Sequence, residues 1–547
     1  MTNDLPSAPR RAAAPPPDAP PTAAPRPDAP AGRGGTPDLR RVARDRRAGL
    51  VIGVATPALA GLVTALVMPH GPATAGGALL VMATSLLVGL AAGWGLGSRW
   101  AMLVGPLAYV VACELGRLGA VGPTVDAPRL DSAYGILGLM LGRGFHGLLA
   151  LVPMMLGASF GAAAWRRATT PARAAAANGA GPVRRIGRRL PWAIAILLVG
   201  ALAVAIAIPP STPPILDADG RPAADSLAEI ATVRLGGADQ RILIRARDPE
   251  KPVLLWLAGG PGQTDMAIFR SVMDDLTADF VVVNWDQRGT GGSYAAIDPA
   301  RDMTLDRVVD DTIELADYLR DRFGEERIYL AGLSWGSTLG VLAAQRAPDR
   351  FEALIGNGQM VSQRETDSRL YDDMLAYADR TGDAALRAQM ESYGRPPYAD
   401  LPYAYAFVMG YYEALEEPYR PSEAYVARGE AAGLDPFGVL GSEYDLVAKT
   451  NVLRGLLDMF TVMYPQLQGI DFRTDVPRLD VPYYLVDGTA ELAARRDLAL
   501  EWFELLDAPI KRILSLDGAA HAPALEQYEA FHRFLVETVV PETYGPA

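Results

Sequence analysis

The sequence predicts two parts: a bundle of membrane-spanning helices in the N-terminal third, and an α/β domain with a mostly parallel sheet in the rest. Three observations predict this organisation. Five long apolar runs lie between residues 49 and 208. After residue 240, short apolar β-type runs alternate with helical patterns, as in sheets that helices cover on both faces. One of these β-type runs is followed at once by the pattern G-x-S-x-G and then by a helix.

Each of the five apolar runs is about long enough to cross a ~30 Å hydrocarbon layer as a helix. The predicted spans, within a bundle at residues 48–210, are Gly49–Met68, Ala75–Gly97, Met102–Leu118, Tyr134–Ala164 and Pro191–Ile208. Four or six spans are alternatives, and so are buried helices of a large soluble protein. Arg143 and His146 in the fourth run are expected to pair or to reach the interface. A polar pocket between helices is the other interpretation.

The distribution of arginines predicts the orientation of the spans. Residues 1–47 are rich in Pro and Ala, so we expect a disordered tail. Arginines cluster before the first run and in Arg166–Arg189, whereas Pro69–Ala73 and Gly119–Ala133 together contain one. By the positive-inside rule, the N-terminus is cytoplasmic. An odd number of spans in the plasma membrane then makes residues 215–547 an extracytoplasmic domain.

The stretch Gly332–Gly336 has the features of a nucleophile elbow. The apolar run Arg327–Ala331 precedes it, and the helical pattern Ser337–Arg346 follows it. Strand, G-x-S-x-G and helix in this order predict that Ser334 is exposed on a tight turn at the carboxyl end of the sheet. A second match, Gly157–Gly161, lies inside an apolar run with no strand before it and is set aside.

A nucleophilic serine needs an imidazole to take its proton. Of the four histidines, two belong to the apolar third. His521 follows the β-type run Arg512–Leu516 in a loop, which is where the partner of an elbow lies, and it is the predicted base. His532 lies in a helical pattern and is the alternative.

The third member of such a site is a carboxylate between the serine and the histidine in the chain. Glu491 follows the strand-like run Pro482–Asp487 and is the predicted acid. Asp487 is the alternative, although its place at the end of the strand favours a role in the turn.

The remaining elements support a parallel sheet with helices on both faces. The predicted elements are the strands Gln240–Arg247, Val253–Leu257, Phe280–Asn284, Phe351–Ile355 and Tyr483–Val486, and the helices Leu305–Phe323 and Ala494–Leu506. An insertion at about residues 361–475 has mainly helical patterns. Because it lies between the elbow and the predicted acid, we expect it to form a cap over Ser334.

Three motifs follow strand ends in order: Gly259–Gly262 (GGPG), Asp286–Gly291 (DQRGTG) and the elbow. With these motifs, the chain from about Leu227 to Val540 resembles the proline iminopeptidase-like branch of the α/β-hydrolases. The resemblance implies an α/β-hydrolase fold with a helical cap and aminopeptidase activity. The backbone amides of Gly260 and Trp335 are the expected oxyanion hole. An Asp and an Arg in the second motif are expected to hold the loop rather than to react.

The chain departs from that family at two positions. The family usually has a histidine where Ala258 stands and an aspartate where Glu491 stands. Glutamate can replace the aspartate, but alanine cannot make the histidine's hydrogen bonds, so the packing of this loop or a substrate subsite must differ. The resemblance also implies that carboxylates of the cap hold the ammonium group of the substrate. Glu413 and Glu417, which share a helical face, are the candidates, and a solvated helix face is the alternative.

Composition excludes several functions. The net charge of −12 lies mainly in the outer domain and argues against nucleic acid as a partner. The single cysteine, Cys113, lies in a span, and we find no metal-binding cluster, dinucleotide fingerprint or P-loop. We therefore expect a serine hydrolase without cofactor or metal that acts on a small peptide, amide or ester beside a lipid bilayer. An esterase or lipase and a non-catalytic binding module are the alternatives, and the oligomeric state is left open.

Overall fold

The computed structural model describes residues 46–169, 182–416, 422–432 and 439–544. Nearly all of the predicted tail 1–47 and the middle of the arginine-rich segment Arg166–Arg189 lie outside these residues. The described chain forms an apolar helical bundle, an eight-stranded sheet with flanking helices, and a helical cap.

In the described residues, the bundle contains six helical segments: α1 (Arg46–Val67), α2 (Ala75–Leu96), α3 (Ala101–Gly116), α4 (Ala133–Leu139), α5 (Phe145–Thr169) and α6 (Pro182–Ala207). A π-helical turn, Met140–Gly144, joins α4 to α5, so residues 133–169 form one 37-residue stretch. Within the described ranges, four stretches are long and apolar enough to cross a membrane. The predicted third span corresponds to α3, which is apolar but has only 16 residues. Of the five predicted spans, four therefore correspond to long apolar helices of the described residues, and the third corresponds to the shorter apolar helix α3.

Several ends of the bundle helices lie on the same side, against the α/β part. Between α1 and α2, His70 Nδ1 lies 2.6 Å from Asp298 Oδ1. In the loop after α3, the amide of Thr124 donates to Asp458 Oδ1 at 3.1 Å. The last bundle helix, α6, leads directly into the α/β part. Because α2 begins on this side and α3 ends there, α3 runs between the two sides of the bundle despite its length.

The sheet contains β1 (Leu227–Leu235), β2 (Ala238–Ala246), β3 (Val253–Leu257), β4 (Val281–Trp285), β5 (Ile328–Leu333), β6 (Phe351–Asn357), β7 (Tyr483–Gly488) and β8 (Lys511–Leu516). Their order is β1-β2-β4-β3-β5-β6-β7-β8. The strand β2 pairs antiparallel with β1 and with β4, and all other neighbours are parallel. The carboxyl ends of the parallel strands therefore meet at one edge, where α/β proteins carry their sites.

Sequence features explain these elements. The strands β3 and β4 are fully buried and, apart from Asn284, apolar, as expected for central strands of a parallel sheet. The first flanking helices are α7 (Met266–Met273), α8 (Leu305–Phe323) and α9 (Trp335–Arg346). The helix α8 begins after Thr304, whose side chain accepts from the amide of Arg307, and ends at Gly324 with φ of 73°. Most of β1 is half-exposed at the edge of the sheet, and the sequence analysis did not predict it.

Where the structure describes it, the cap contains seven helices: α10 (Gln363–Thr381), α11 (Ala384–Tyr393), α12 (Tyr403–Met409), α13 (Tyr412–Leu415), α14 (Glu423–Ala432), α15 (Leu446–Leu467) and α16 (Phe472–Asp475). The chain then returns to the sheet and adds α17 (Ala493–Leu505), α18 (Pro523–Glu526), α19 (Tyr528–Phe534) and α20 (Val540–Thr543).

Candidate active site

Ser334 lies on the turn between β5 and α9. Its φ of 55° and ψ of −120° are strained for a residue with a side chain. The turn is possible because its glycines allow close backbone approach: a Cβ at Gly332 would meet Gly336 O, and a Cβ at Gly336 would meet Leu257 O. The amide of Ser334 donates to Asn357 O at 2.9 Å, which ties the turn to the end of β6. The serine is half-buried within a buried surrounding.

His521 lies in the loop between β8 and α18, as expected. Its Nδ1 contacts Glu491 Oε2. The imidazole lies against the end of β6, because a Cβ on Gly358 would be 3.1 Å from His521 Nδ1 and 3.2 Å from its Cε1. Since the preceding residue, Asn357, binds the amide of Ser334, the histidine and the serine both lie near the end of β6, at the carboxyl edge of the sheet.

The carboxylate of Glu491 is held in a fixed orientation. Its Oε1 accepts from the amide of Leu492 at 2.8 Å and from Arg495 Nη1 at 2.9 Å, which leaves Oε2 for the imidazole. Burial alone would raise the pKa of Glu491, but the charges of His521 and Arg495 and the hydrogen bonds lower it to about 2. The side chain therefore stays ionised and can stabilise a protonated imidazole. The sequence analysis did not identify Arg495.

The two alternatives to these residues have other partners. Asp487 accepts from Arg496 Nε at 2.9 Å and from Nη2 at 2.8 Å, and from Ser515 Oγ at 3.2 Å. His532 lies on α19, where its Nε2 is 2.8 Å from Asp279 Oδ2.

Two backbone amides belong to segments that border the serine. A Cβ on Gly259 would lie 3.4 Å from the Cβ of Ser334, so the segment Gly259–Gly262, here called the glycine loop, borders the elbow. Gly260 has φ of 113°, which favours glycine. Within the described part of the chain, the amides of Gly260 and Trp335 donate to no protein acceptor. Backbone amides without a protein acceptor beside a nucleophile are groups that can stabilise a developing oxyanion.

Side chains of the second motif (DQRGTG) form hydrogen bonds with the segments around the site. Gln287 Nε2 donates to Ala258 O at 3.0 Å, and Gln287 Oε1 accepts from Trp335 Nε1 at 2.8 Å. Arg288 donates to both carboxylate oxygens of the buried Asp311, at 2.7 and 2.9 Å. The Asp-Gln-Arg turn therefore has the architectural geometry that the sequence analysis expected. The bridging role of Gln287 was not foreseen.

The structure describes the two predicted cap carboxylates only in part. The backbone of Glu413 lies in α13, and Glu417 lies outside the described residues. In the described ranges, no group of three or more His, Cys, Asp or Glu side chains is placed to hold a metal ion.

The mixed sheet, the elbow and the helical cap define an α/β-hydrolase, and residues 252–401 match the model of a family described as the alpha/beta hydrolase fold. The part of the chain after the bundle, here called the hydrolase domain, therefore has the α/β-hydrolase fold, as predicted.

Individual relatives show which proteins with this fold the chain is similar to. The probable aminopeptidase YbaC of Bacillus subtilis (strain 168) is 29% identical over 312 residues, which are 57% of this chain and 96% of that protein. The probable proline iminopeptidase of Leptolyngbya boryana is 32% identical over 123 residues, 22% of this chain and 36% of that protein. The crystal structure of a proline iminopeptidase-related protein from Thermus thermophilus is 24% identical, with a TM-score of 0.41, over 58% of this chain and 98% of that chain. The predicted resemblance is confirmed: the hydrolase domain is similar to aminopeptidases and proline iminopeptidases.

Proposed function

We propose that this protein is a membrane-anchored serine hydrolase of the aminopeptidase type, with Ser334 as nucleophile, His521 as base and Glu491 as the orienting acid. One observation carries the proposal: His521 Nδ1 contacts the buried carboxylate of Glu491, and both this imidazole and the strained elbow of Ser334 lie near the end of β6. This arrangement supports a nucleophile, a base and an orienter in the order that acyl transfer requires.

The proposed reaction has two steps. Ser334 Oγ attacks the carbonyl carbon of the substrate while His521 Nε2 takes the hydroxyl proton, and the amides of Trp335 and Gly260 stabilise the oxyanion. The C–N bond then breaks, and the imidazolium gives its proton to the leaving amine. Water attacks the acyl-enzyme with His521 as base, and the proton returns to Ser334 Oγ as the acid product leaves.

The proposed substrate is a small peptide or amide with a free N-terminal ammonium group. The similarity to aminopeptidases supports this class. We propose that Glu413 and Glu417 of the cap bind the ammonium. Replacing Glu413 with Gln should then raise KM for aminoacyl amides and leave the hydrolysis of short-chain esters unchanged. A panel of both substrate types also separates an aminopeptidase from an esterase.

Labelling with a fluorophosphonate probe tests the nucleophile. The wild type should be labelled, and Ser334→Ala should not be. Ser159→Ala is a matched control, because Ser159 lies in the other G-x-S-x-G match but sits within α5, where its Oγ donates to Leu156 O at 2.6 Å. Undiminished labelling of Ser334→Ala would refute the proposal.

We also propose that the bundle crosses the plasma membrane five times and leaves the hydrolase domain outside. The position of α3 supports five crossings, and Arg99, Arg166 and Arg167 lie at the ends of helices that face away from the hydrolase domain. Single cysteines can test this, because the chain has one native cysteine, which is buried. An impermeant maleimide should label Ser226→Cys in intact cells, but should label Ser98→Cys only after permeabilisation. The reverse pattern would contradict the topology.

A further inference from the structure

The cap helix α15 packs closely against the glycine loop. A Cβ on Gly262 would meet Gly455 O, and a Cβ on Gly455 would lie 2.9 Å from Gly289 O and 3.0 Å from Thr290 Cα. The helix therefore approaches both the GGPG and the DQRGTG segments at backbone distance, with no side chain between them. Because this packing is so close, a small displacement of α15 must displace the loop that carries the amide of Gly260.

Other side chains of the same helix are held by the membrane bundle. Asn451 Nδ2 donates to Ala73 O at 2.8 Å, and Arg454 donates to Pro72 O at 3.1 Å and to His70 O. Asp458 accepts from both the amide and the hydroxyl of Thr124. These acceptors and donors belong to the segment between α1 and α2 and to the loop after α3.

Because these contacts between α15 and the bundle are buried and polar, they fix the position of α15 and do more than bury surface area. Arg454 is 1% exposed, and Asp458 and Asn451 are fully buried. On the hydrolase side, Tyr294 Oη donates to Asp458 Oδ2 at 2.6 Å, and the Arg454 guanidinium lies 4.4 Å from the centre of the Tyr294 ring. Buried polar groups of this kind are costly to leave unpaired, so their partners hold α15 in one place.

We infer that the outer loops of the bundle, acting through α15, hold the glycine loop in its working geometry. Arg454, Asp458 and Thr124 are accordingly positioning residues. This inference rests on the proposed function, because the loop matters only if Gly260 binds an oxyanion. The bundle is then a structural part of the active site as well as an anchor.

The test uses the full chain in detergent and compares substitutions at two positions of the same bundle loop. Thr124→Val removes the hydroxyl that binds Asp458, and Thr124→Ser keeps it. Arg129→Met is the control: it removes a contact between this loop and the cap, where Arg129 pairs with Asp400 and stacks on Tyr403 at 3.9 Å, without touching α15. The measured quantities are kcat and KM, with kcat expressed per fluorophosphonate-labelled serine so that misfolded protein does not count.

We expect Thr124→Val to lower kcat about tenfold, because a misplacement of ~1 Å can cost on the order of 10²-fold. KM should change less than twofold, Thr124→Ser should restore kcat, and Arg129→Met should leave it unchanged. A loss in Thr124→Val no larger than that in Arg129→Met would overturn the inference.

A second variant keeps every bundle contact and perturbs only the other face of α15. Gly455→Ala adds a methyl group against Gly289 O and should lower kcat per labelled serine with little change in KM. Unchanged kcat in this variant would also overturn the inference. Failure of the proposed function is distinguishable, because it would appear as continued labelling of Ser334→Ala, whatever the Thr124 and Gly455 variants do.

Discussion

Glu491 and Arg495, four residues apart in the sequence, form an ion pair, and the side chain of each is only 4% exposed. The pair engages Oε1 of the carboxylate and leaves Oε2 against His521. Arg495 therefore restricts the carboxylate of Glu491 to one orientation. That carboxylate restricts the imidazole of His521 in the same way. Such support of a reactive group by a neighbouring side chain is what keeps a site preorganised.

Replacing Glu491 with Gln should lower kcat on the order of 10³- to 10⁴-fold and leave KM nearly unchanged, because the amide cannot stabilise the imidazolium. Steady-state hydrolysis of an aminoacyl amide measures this. Asp487→Asn is the matched control, since Asp487 pairs with Arg496 and not with the imidazole. A larger loss in Asp487→Asn than in Glu491→Gln would assign the acid to Asp487.

The stability that the Glu491 carboxylate contributes should depend on pH in the acid range. The pKa of Glu491 is lowered from 4.5 to about 2 in the folded chain, so folding favours the ionised form. The contribution is present above pH ~4.5, the unfolded value, and is lost as the pH falls towards about 2. Thermal unfolding of the wild type and of Glu491→Gln should therefore give a difference in Tm that shrinks over this window. A difference that grows on acidification would contradict the assigned charge state.

Replacing Gly260 with Ala should lower kcat on the order of 10²- to 10³-fold, the loss that follows removal of one oxyanion donor. The residue has φ of 113°, and a Cβ there would lie 2.6 Å from the amide nitrogen of Gly262, so the loop must move. Gly237→Ala controls for backbone strain, because Gly237 has φ of 77° and open space around its Cβ position. Equal losses of kcat in both variants would indicate general destabilisation instead.

Replacing Arg288 with Met should lower the free energy of unfolding by about 3–5 kcal/mol, because it leaves the buried carboxylate of Asp311 without its cation. Replacing Arg234 with Met should lower the free energy of unfolding by less than about 1 kcal/mol, because the side chains of Arg234 and of its partner Asp239 are each two-thirds exposed. Thermal unfolding in detergent compares the two variants. Similar shifts in Tm would show that the Arg288 pair does not hold the turn.

The parts of the fold that the sequence predicted best are those with a local physical signal. Val253–Leu257 is an uninterrupted apolar run and coincides with β3. The bounds of α8 follow from a capping threonine and a terminal glycine. The edge strand β1 has neither continuous burial nor clear alternation, so no local pattern marked it.

The candidate site was predictable where a residue's place after a strand decided its role, as for Ser334, His521 and Glu491. The structure puts the last two in contact, and their catalytic roles remain our proposal. Residues that act through long-range contacts carried no such signal. Gln287 bridges Ala258 and Trp335 across separate loops, and α15 reaches the glycine loop from a region remote in sequence. For α3, composition correctly predicted an apolar helix, but the helix is shorter than the predicted span.

The hydrogen bonds between the bundle and α15 restrict how the hydrolase domain can move relative to the bundle. A domain joined to a membrane by one strand of chain can tumble and sample many heights above the lipid. Here the covalent link after Ala207 is supplemented by buried hydrogen bonds at His70, Pro72 and Thr124. If the bundle crosses a bilayer as we propose, these bonds keep Ser334 at a constant height above the lipid, so substrates embedded in the same membrane would have to present their bonds at one set distance from its surface.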